Sequence, residues 1–146
     1  MKKRNMLSLA QSMVLCAVAL VFFSGCAVVG LTIPNEKRIT LVYNQQVNGT
    51  FSDGSLSVDY SYSLSQNRIK LSGNANYSNR MDSLDVRVLF LDVAGTVLKQ
   101  TVVYSSGYRT DEGQSRNLKF DKTIELPVGV VGISFSSSGQ PRRSHR

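Results

Sequence analysis

The strictest pattern in the chain covers residues 55–64, where Leu56, Val58, Tyr60, Tyr62 and Leu64 alternate with Ser55, Ser57, Asp59, Ser61 and Ser63. A period of two puts one set on a buried face and the other in water, so this stretch is a strand with one covered side. After a short turn at Ser65, Gln66 and Asn67 the alternation resumes through Ile69, Leu71, Gly73, Ala75 and Tyr77, and the two runs predict a long antiparallel hairpin. Gly73 inside the second run predicts a bulge or a close approach by another backbone. Upstream, Ile39, Leu41 and Tyr43 predict a strand over residues 38–47, followed by turns at Asn48-Gly49 and Asp53-Gly54. Downstream, Leu84, Val86, Val88 and Phe90 predict a third major strand. Leu89 and Leu91 fill its opposite face, so that end should be covered on both sides. Asp92-Val93-Ala94-Gly95 reads as a turn, and residues 96–104 return as a strand. A polar interval over residues 105–115 precedes a strand carrying Leu118, Phe120 and residues 124–126. Pro127 stops it, and Val131, Ile133 and Phe135 mark the last.

Helical periodicity and internal repeats are missing from this pattern downstream of residue 26. The expected fold is all-β: an antiparallel immunoglobulin-like β-sandwich of about seven strands after an N-terminal signal helix. An up-and-down barrel is the alternative closure of the same strands.

The first 26 residues are laid out differently. Lys2, Lys3 and Arg4 form a positive head, residues 6–23 are apolar and uncharged, and compact Ser24 and Gly25 lead into Cys26. The stretch resembles a bacterial lipoprotein signal ending in a lipobox, Phe23-Ser24-Gly25-Cys26, with Phe23 where that family usually has Leu. The resemblance implies cleavage before Cys26 and lipid on its sulfur and new amino terminus, and hence a membrane partner and a place in the bacterial cell envelope. Ala27 after the cysteine, rather than Asp, implies the periplasmic face of the outer membrane if the cell is Gram-negative. Cys16 follows bulky Leu15 inside the apolar run and does not fit the motif. Ordinary secretory cleavage after Ala27 and an uncleaved membrane span are the other two readings, though Ser8, Gln11 and Ser12 make a poor permanent span.

This reading changes how the composition is taken. Removing the first 25 of 146 residues leaves 121, enough for one domain and too few for two cores. The formal charge of +7 includes Lys2, Lys3 and Arg4 in the signal and Arg142, Arg143 and Arg146 at the far end; the body carries about +1. A nucleic-acid partner is not expected, since its binders gather cations on one face. Both cysteines lie in the first 26 residues, so the domain has no internal disulfide. The expected division is a signal peptide over residues 1–25, the lipidated cysteine and a tether or added edge strand over 26–37, the sandwich over 38–138 and a basic tail over 139–146.

A second resemblance covers residues 71–98. Leu71-Ser-Gly-Asn-Ala-Asn-Tyr-Ser-Asn79, the run from Leu84 to Asp92 and Gly95-Thr96-Val97-Leu98 are similar to FxLYD-type modules of bacterial envelope proteins, small β-sandwiches with a strand closing in an Asp-x-x-Gly hairpin. Val88, Phe90 and Leu91 stand where that family has Phe, Leu and Tyr, and Asp92 alone of the naming motif is kept. The resemblance implies fold and location and supplies no catalytic residue.

Chemistry is sparse. The one histidine, His145, sits beside the end of the chain, so nucleophile–histidine pairs and zinc sites lack their parts. Asp111-Glu112, or Asp82 with Asp85, are the candidates for calcium, without the spacing of a loop cage. Asp59, Asp85 and Asp121 fall on outward strand positions, a solubilising pattern rather than a facing acid pair. Tyr60 and Tyr62 share parity with Leu56 and Val58, which places them in the core. The remaining candidates for a ligand or partner are Tyr104, Tyr108, Arg109, Asp111 and Glu112, in or beside the polar interval. The expectation is a non-enzymatic, cofactor-free lipoprotein, anchored through Cys26, whose sandwich contacts an envelope protein; a carbohydrate-binding domain using the 105–115 loop is the alternative.

Overall fold

The computed structural model describes residues 28–79, 81–107 and 118–141. A 3-10 turn, Asn35–Lys37, precedes eight strands: β1 Ile39–Thr40, β2 Gln46–Asp53, β3 Leu56–Ser65, β4 Arg68–Tyr77, β5 Met81–Leu91, β6 Val97–Ser105, β7 Leu118–Glu125 and β8 Gly132–Pro141. They form two antiparallel four-stranded sheets, ordered β1-β8-β5-β6 and β2-β3-β4-β7. The fold is the expected β-sandwich rather than a closed barrel, with eight strands instead of seven. Both the β4–β5 and the β7–β8 connections cross between the sheets. β4 then pairs with β7, and β5 pairs with β8. These interlocked central pairs are the immunoglobulin-like arrangement, in which strands B and E share one sheet and C and F the other.

The β3–β4 hairpin lies where alternation placed it, in unbroken register from Leu56↔Tyr77 to Ser65↔Arg68. Its inward set, Val58, Tyr62, Ile69, Leu71 and Ala75, is at most 1% exposed and meets Val86, Val88, Phe90, Ile133 and Phe135 from the other sheet. Phe135 is the hub, with ring centroids 5.5 Å from Phe51, 5.6 Å from Tyr60 and 6.4 Å from Phe120.

Two expectations need correction. The strand expected over residues 38–47 is broken: β1 ends at Thr40, and β2 starts only at Gln46. Asn44 takes φ +63 in the link between them, a conformation asparagine tolerates better than most residues. The Asn48-Gly49 turn is absent, since both residues lie within β2 and pair with Ser61 and Tyr60. Gly49 serves packing instead: a Cβ there would come within 2.5 Å of the Tyr60 hydroxyl. Gly73, in the same row across the sheet, shows no bulge. A Cβ there would meet the Asp59 carbonyl oxygen and the Phe120 ring, both at 2.6 Å, so the expected close backbone approach is real.

The far face of β5 is covered, as Leu89 and Leu91 require. Those two residues and Val97 are at most 2% exposed beneath Val28 and Ile33 of the N-terminal segment. The segment is held by Gly30 N–H to Val97 O (2.9 Å), Val97 N–H to Leu31 O (2.8 Å) and Ile33 N–H to Gly95 O (2.9 Å). Arg38 donates to the Ile33 carbonyl at 2.6 Å, and its guanidinium fills the space where a Gly95 side chain would stand. Gly95, at φ +84, closes the predicted Asp92–Gly95 turn.

Candidate functional site

The strands place two groups of connections at opposite ends of the sandwich. One end gathers the β2–β3 turn, the β4–β5 connection and the start of the β6–β7 loop. There Asn79 donates to the Ser55 hydroxyl at 2.7 Å, and Ser78 N–H donates to the Ser55 carbonyl at 3.0 Å. The root of the polar loop is tied to β5: Leu84 N–H donates to the Ser106 hydroxyl at 2.8 Å, and Ser106 N–H returns to the Leu84 carbonyl at 2.9 Å. Ser105 donates to Asp85 at 2.6 Å, and Arg87 approaches the other oxygen of that carboxylate at 3.5 Å. These hydrogen bonds make this end a polar rim.

Tyr104 lies on β6 opposite Val86, half-buried and packed against the main core. A bulge at Val103 turns both residues inward: Val86 pairs with Tyr104 while Arg87 pairs with Val102, and Val103 is 2% exposed. The ring therefore packs at the root of the loop. Tyr108, Arg109, Asp111 and Glu112 lie outside the described residues, as do the signal helix and Cys26. β8 carries the sandwich to Pro141, three residues into the stretch assigned to the tail, and the remainder of that stretch is also outside.

Sequence reasoning missed a second surface, on the outer face of β2, β3 and β4. An open depression of about 540 Å³ is lined by Asn48, Thr50, Asp59, Ser61, Ser72 and Asn74, and Gly49, Tyr60 and Gly73 form its floor. Gly49, Tyr60 and Gly73 stand side by side in register, so two neighbouring strands contribute no side chain to that row. The signal was present: Gly49 shares parity with Val47 and Phe51, which a strand reading would have kept.

A scan of protein-family models, a search of curated proteins and a search of solved structures each found no match to this chain. The chemistry of the surface must speak for itself. Its donors and acceptors are neutral hydroxyls and amides with one carboxylate, Asp59, which accepts from Thr50 at 2.8 Å. Gln46 donates to Ser61 at 2.9 Å beside it. The Tyr60 ring is turned inward, stacked on Tyr62 with centroids 6.3 Å apart. Burial first, and the neighbouring Tyr62 hydroxyl second, raise its pKa above the ordinary value, so it stays neutral. Among the described residues no three His, Cys, Asp or Glu side chains converge as a metal site would need, and no helix is long and apolar enough to cross a membrane.

Such a surface can hydrogen-bond a polar partner broadly. Its border is also an edge. Among the described residues β2 has a neighbour on one side only, and its eight residues include no Lys, Arg or Pro. The other edges differ: β1 is two residues long, β7 carries Lys119, Asp121, Lys122 and Glu125, and β6 is bridged just before its start by Thr32 to Thr96 and carries Lys99.

Proposed function

We propose that this chain is a non-enzymatic bacterial envelope lipoprotein, anchored by lipid on Cys26, whose sandwich makes protein–protein contacts at the membrane surface. The observation that carries the reading is the position of the fold relative to the lipobox. Val28, two residues after Cys26, already packs on Leu89, Leu91 and Val97, and every strand of the sandwich lies downstream of the expected cut. Lys2, Lys3, Arg4 and the uncharged run of residues 6–23 supply the address. Two or more acyl chains hold a protein on a bilayer stably, where one is marginal. The edge of β2, free of Lys, Arg and Pro and beside a broad polar face, supports a protein partner that adds a strand there.

Metabolic palmitate labelling tests the anchor. Wild-type protein takes up label and sediments with membranes, while Cys26→Ser loses both. Retention of Cys26→Ser in the membrane fraction would sink the reading, leaving an uncleaved span, and a soluble, unlabelled wild-type protein would favour simple secretion.

A further inference from the structure

Among the described residues eight large hydrophobic side chains are exposed, and seven of them lie at the end of the sandwich opposite the polar rim. Val29 and Leu31 come from the N-terminal segment, and Val42 and Tyr43 from the link between β1 and β2. Val93 is on the β5–β6 turn, 85% exposed, and Val128 on the β7–β8 connection is 99% exposed; Val131 ends that connection. Only Val102, on β6, lies elsewhere. Backbone hydrogen bonds join the contributing segments: Val97 N–H to Leu31 O, Val131 N–H to Leu91 O at 2.9 Å, and Leu41 N–H to Val131 O at 2.9 Å.

Turn tips facing water ordinarily carry Gly, Asn, Asp or Ser, so two tips bearing bare valines call for an apolar or half-apolar neighbour. The polar-rim end shows the ordinary choice, with Asp53, Gly54, Ser78 and Asn79 at its turns. Tyr43, half exposed, has the amphipathic ring that sits well at a membrane–water boundary. Arg68 and Lys99 are exposed at the same end, long cations of the kind that can keep an apolar stem against lipid while the head reaches polar groups, and Lys99 donates to the Glu125 carbonyl at 3.2 Å.

The chain before Val28 says what covers this end. Two extended residues reach at most about 7 Å, so a lipid on Cys26 would be held within that distance of Val28. A bilayer interface accepts apolar groups to a depth of about 5–10 Å. We infer that this end of the sandwich rests on the lipid bilayer, with Val93, Val128, Leu31 and Val29 in the interface and Tyr43 at its boundary. The inference builds on the lipoprotein reading. It adds a fixed orientation: the apolar end faces lipid, and the polar rim faces away from the membrane.

The test uses the lipidated, signal-cleaved protein in vesicles of phosphatidylethanolamine and phosphatidylglycerol. Lipid blocks the Cys26 sulfur, so Val93→Cys, Val128→Cys and the rim control Asn79→Cys each offer a single thiol for an environment-sensitive fluorophore. Emission from positions 93 and 128 is expected to shift to the blue and to be quenched by nitroxide-bearing lipids, with position 79 unchanged. If all three labels stay equally wet while the protein floats with the vesicles, the orientation is wrong and the anchor stands. A blue shift without lipid quenching means that a second copy or another protein covers this end, which also overturns the inference. Mass measurement of residue 26 is read separately; an unmodified cysteine removes the anchoring reading and takes this inference with it.

Discussion

The Tyr62 hydroxyl donates to the Thr40 carbonyl at 3.2 Å and accepts from Val42 N–H at 3.0 Å, although the ring around it is 1% exposed. It therefore fixes the irregular link that carries the chain from one sheet to the other. Removing it leaves a backbone donor and an acceptor short of a partner at the edge of the core, a loss of about 1–3 kcal/mol. Tyr62→Phe should lower the unfolding free energy by that amount, read as a lower denaturant midpoint at an unchanged slope, and an unaltered midpoint would show that water replaces the hydroxyl freely. The inward position of Tyr60 and Tyr62 was legible from parity with Leu56 and Val58. The partners of the Tyr62 hydroxyl were not, because they depend on a path turned by Asn44 at positive φ, which alternation does not encode. Gly49 misled for a related reason: a glycine can mark a turn or make room for a neighbour, and the neighbour here is on another strand.

Residues 28–34 act as a strap across the outer face of β5 and β6, and the strap is a device of elements rather than of any one contact. Leu89, Leu91 and Val97 announced that something covers them, since a strand apolar on both faces cannot leave one in water. Which segment does so was not legible, because periodicity describes a strand's faces and not their distant partners. The polar end of β8 hid in the same way. Ser136, Ser137 and Ser138 have no apolar signal, yet they pair with Arg87, Val86 and Asp85 because β5 offers a free ladder of backbone groups. Arg38 is the clasp of the strap, bonded to Ile33 and laid over Gly95. Arg38→Ala should cost about 1–2 kcal/mol locally. Hydrogen exchange would read this as faster exchange at Gly30, Ile33 and Val97, whose amides hold the strap, with β3 and β4 unaffected. Uniform loss of protection across the sandwich would instead make the strap part of the cooperative core.

At the scale of the whole molecule, the described sandwich has one face toward the N-terminal segment, an apolar end, a polar end and, at β2, an edge without Lys, Arg or Pro, and these divide the work. Edge strands with unpaired N–H and C=O groups invite another strand, and natural sheets shield them with charge, proline or brevity. β2 is eight residues long without Lys, Arg or Pro, and its one charge, Asp53, sits at the end of the strand, exposed and paired with Lys37 at 2.8 Å. A chain that leaves such an edge open either aggregates or keeps it for a partner, and the hydroxyl- and amide-rich face beside it suits a partner recognised mainly through backbone. Asn48 and Ser52 are exposed on β2, so placing lysines there should leave stability within about 0.5 kcal/mol of wild type. The charges would nonetheless oppose strand addition. A photo-crosslinking residue at Thr50, between them, should trap a defined adduct in intact cells, and the adduct should fade in the Asn48→Lys, Ser52→Lys double variant. An adduct of undiminished yield in a variant with an unchanged unfolding midpoint would move the contact away from this edge. The polar rim around Ser55, Asn79 and Ser106 would then be the next surface to carry a crosslinker, being the one that the proposed orientation turns away from lipid.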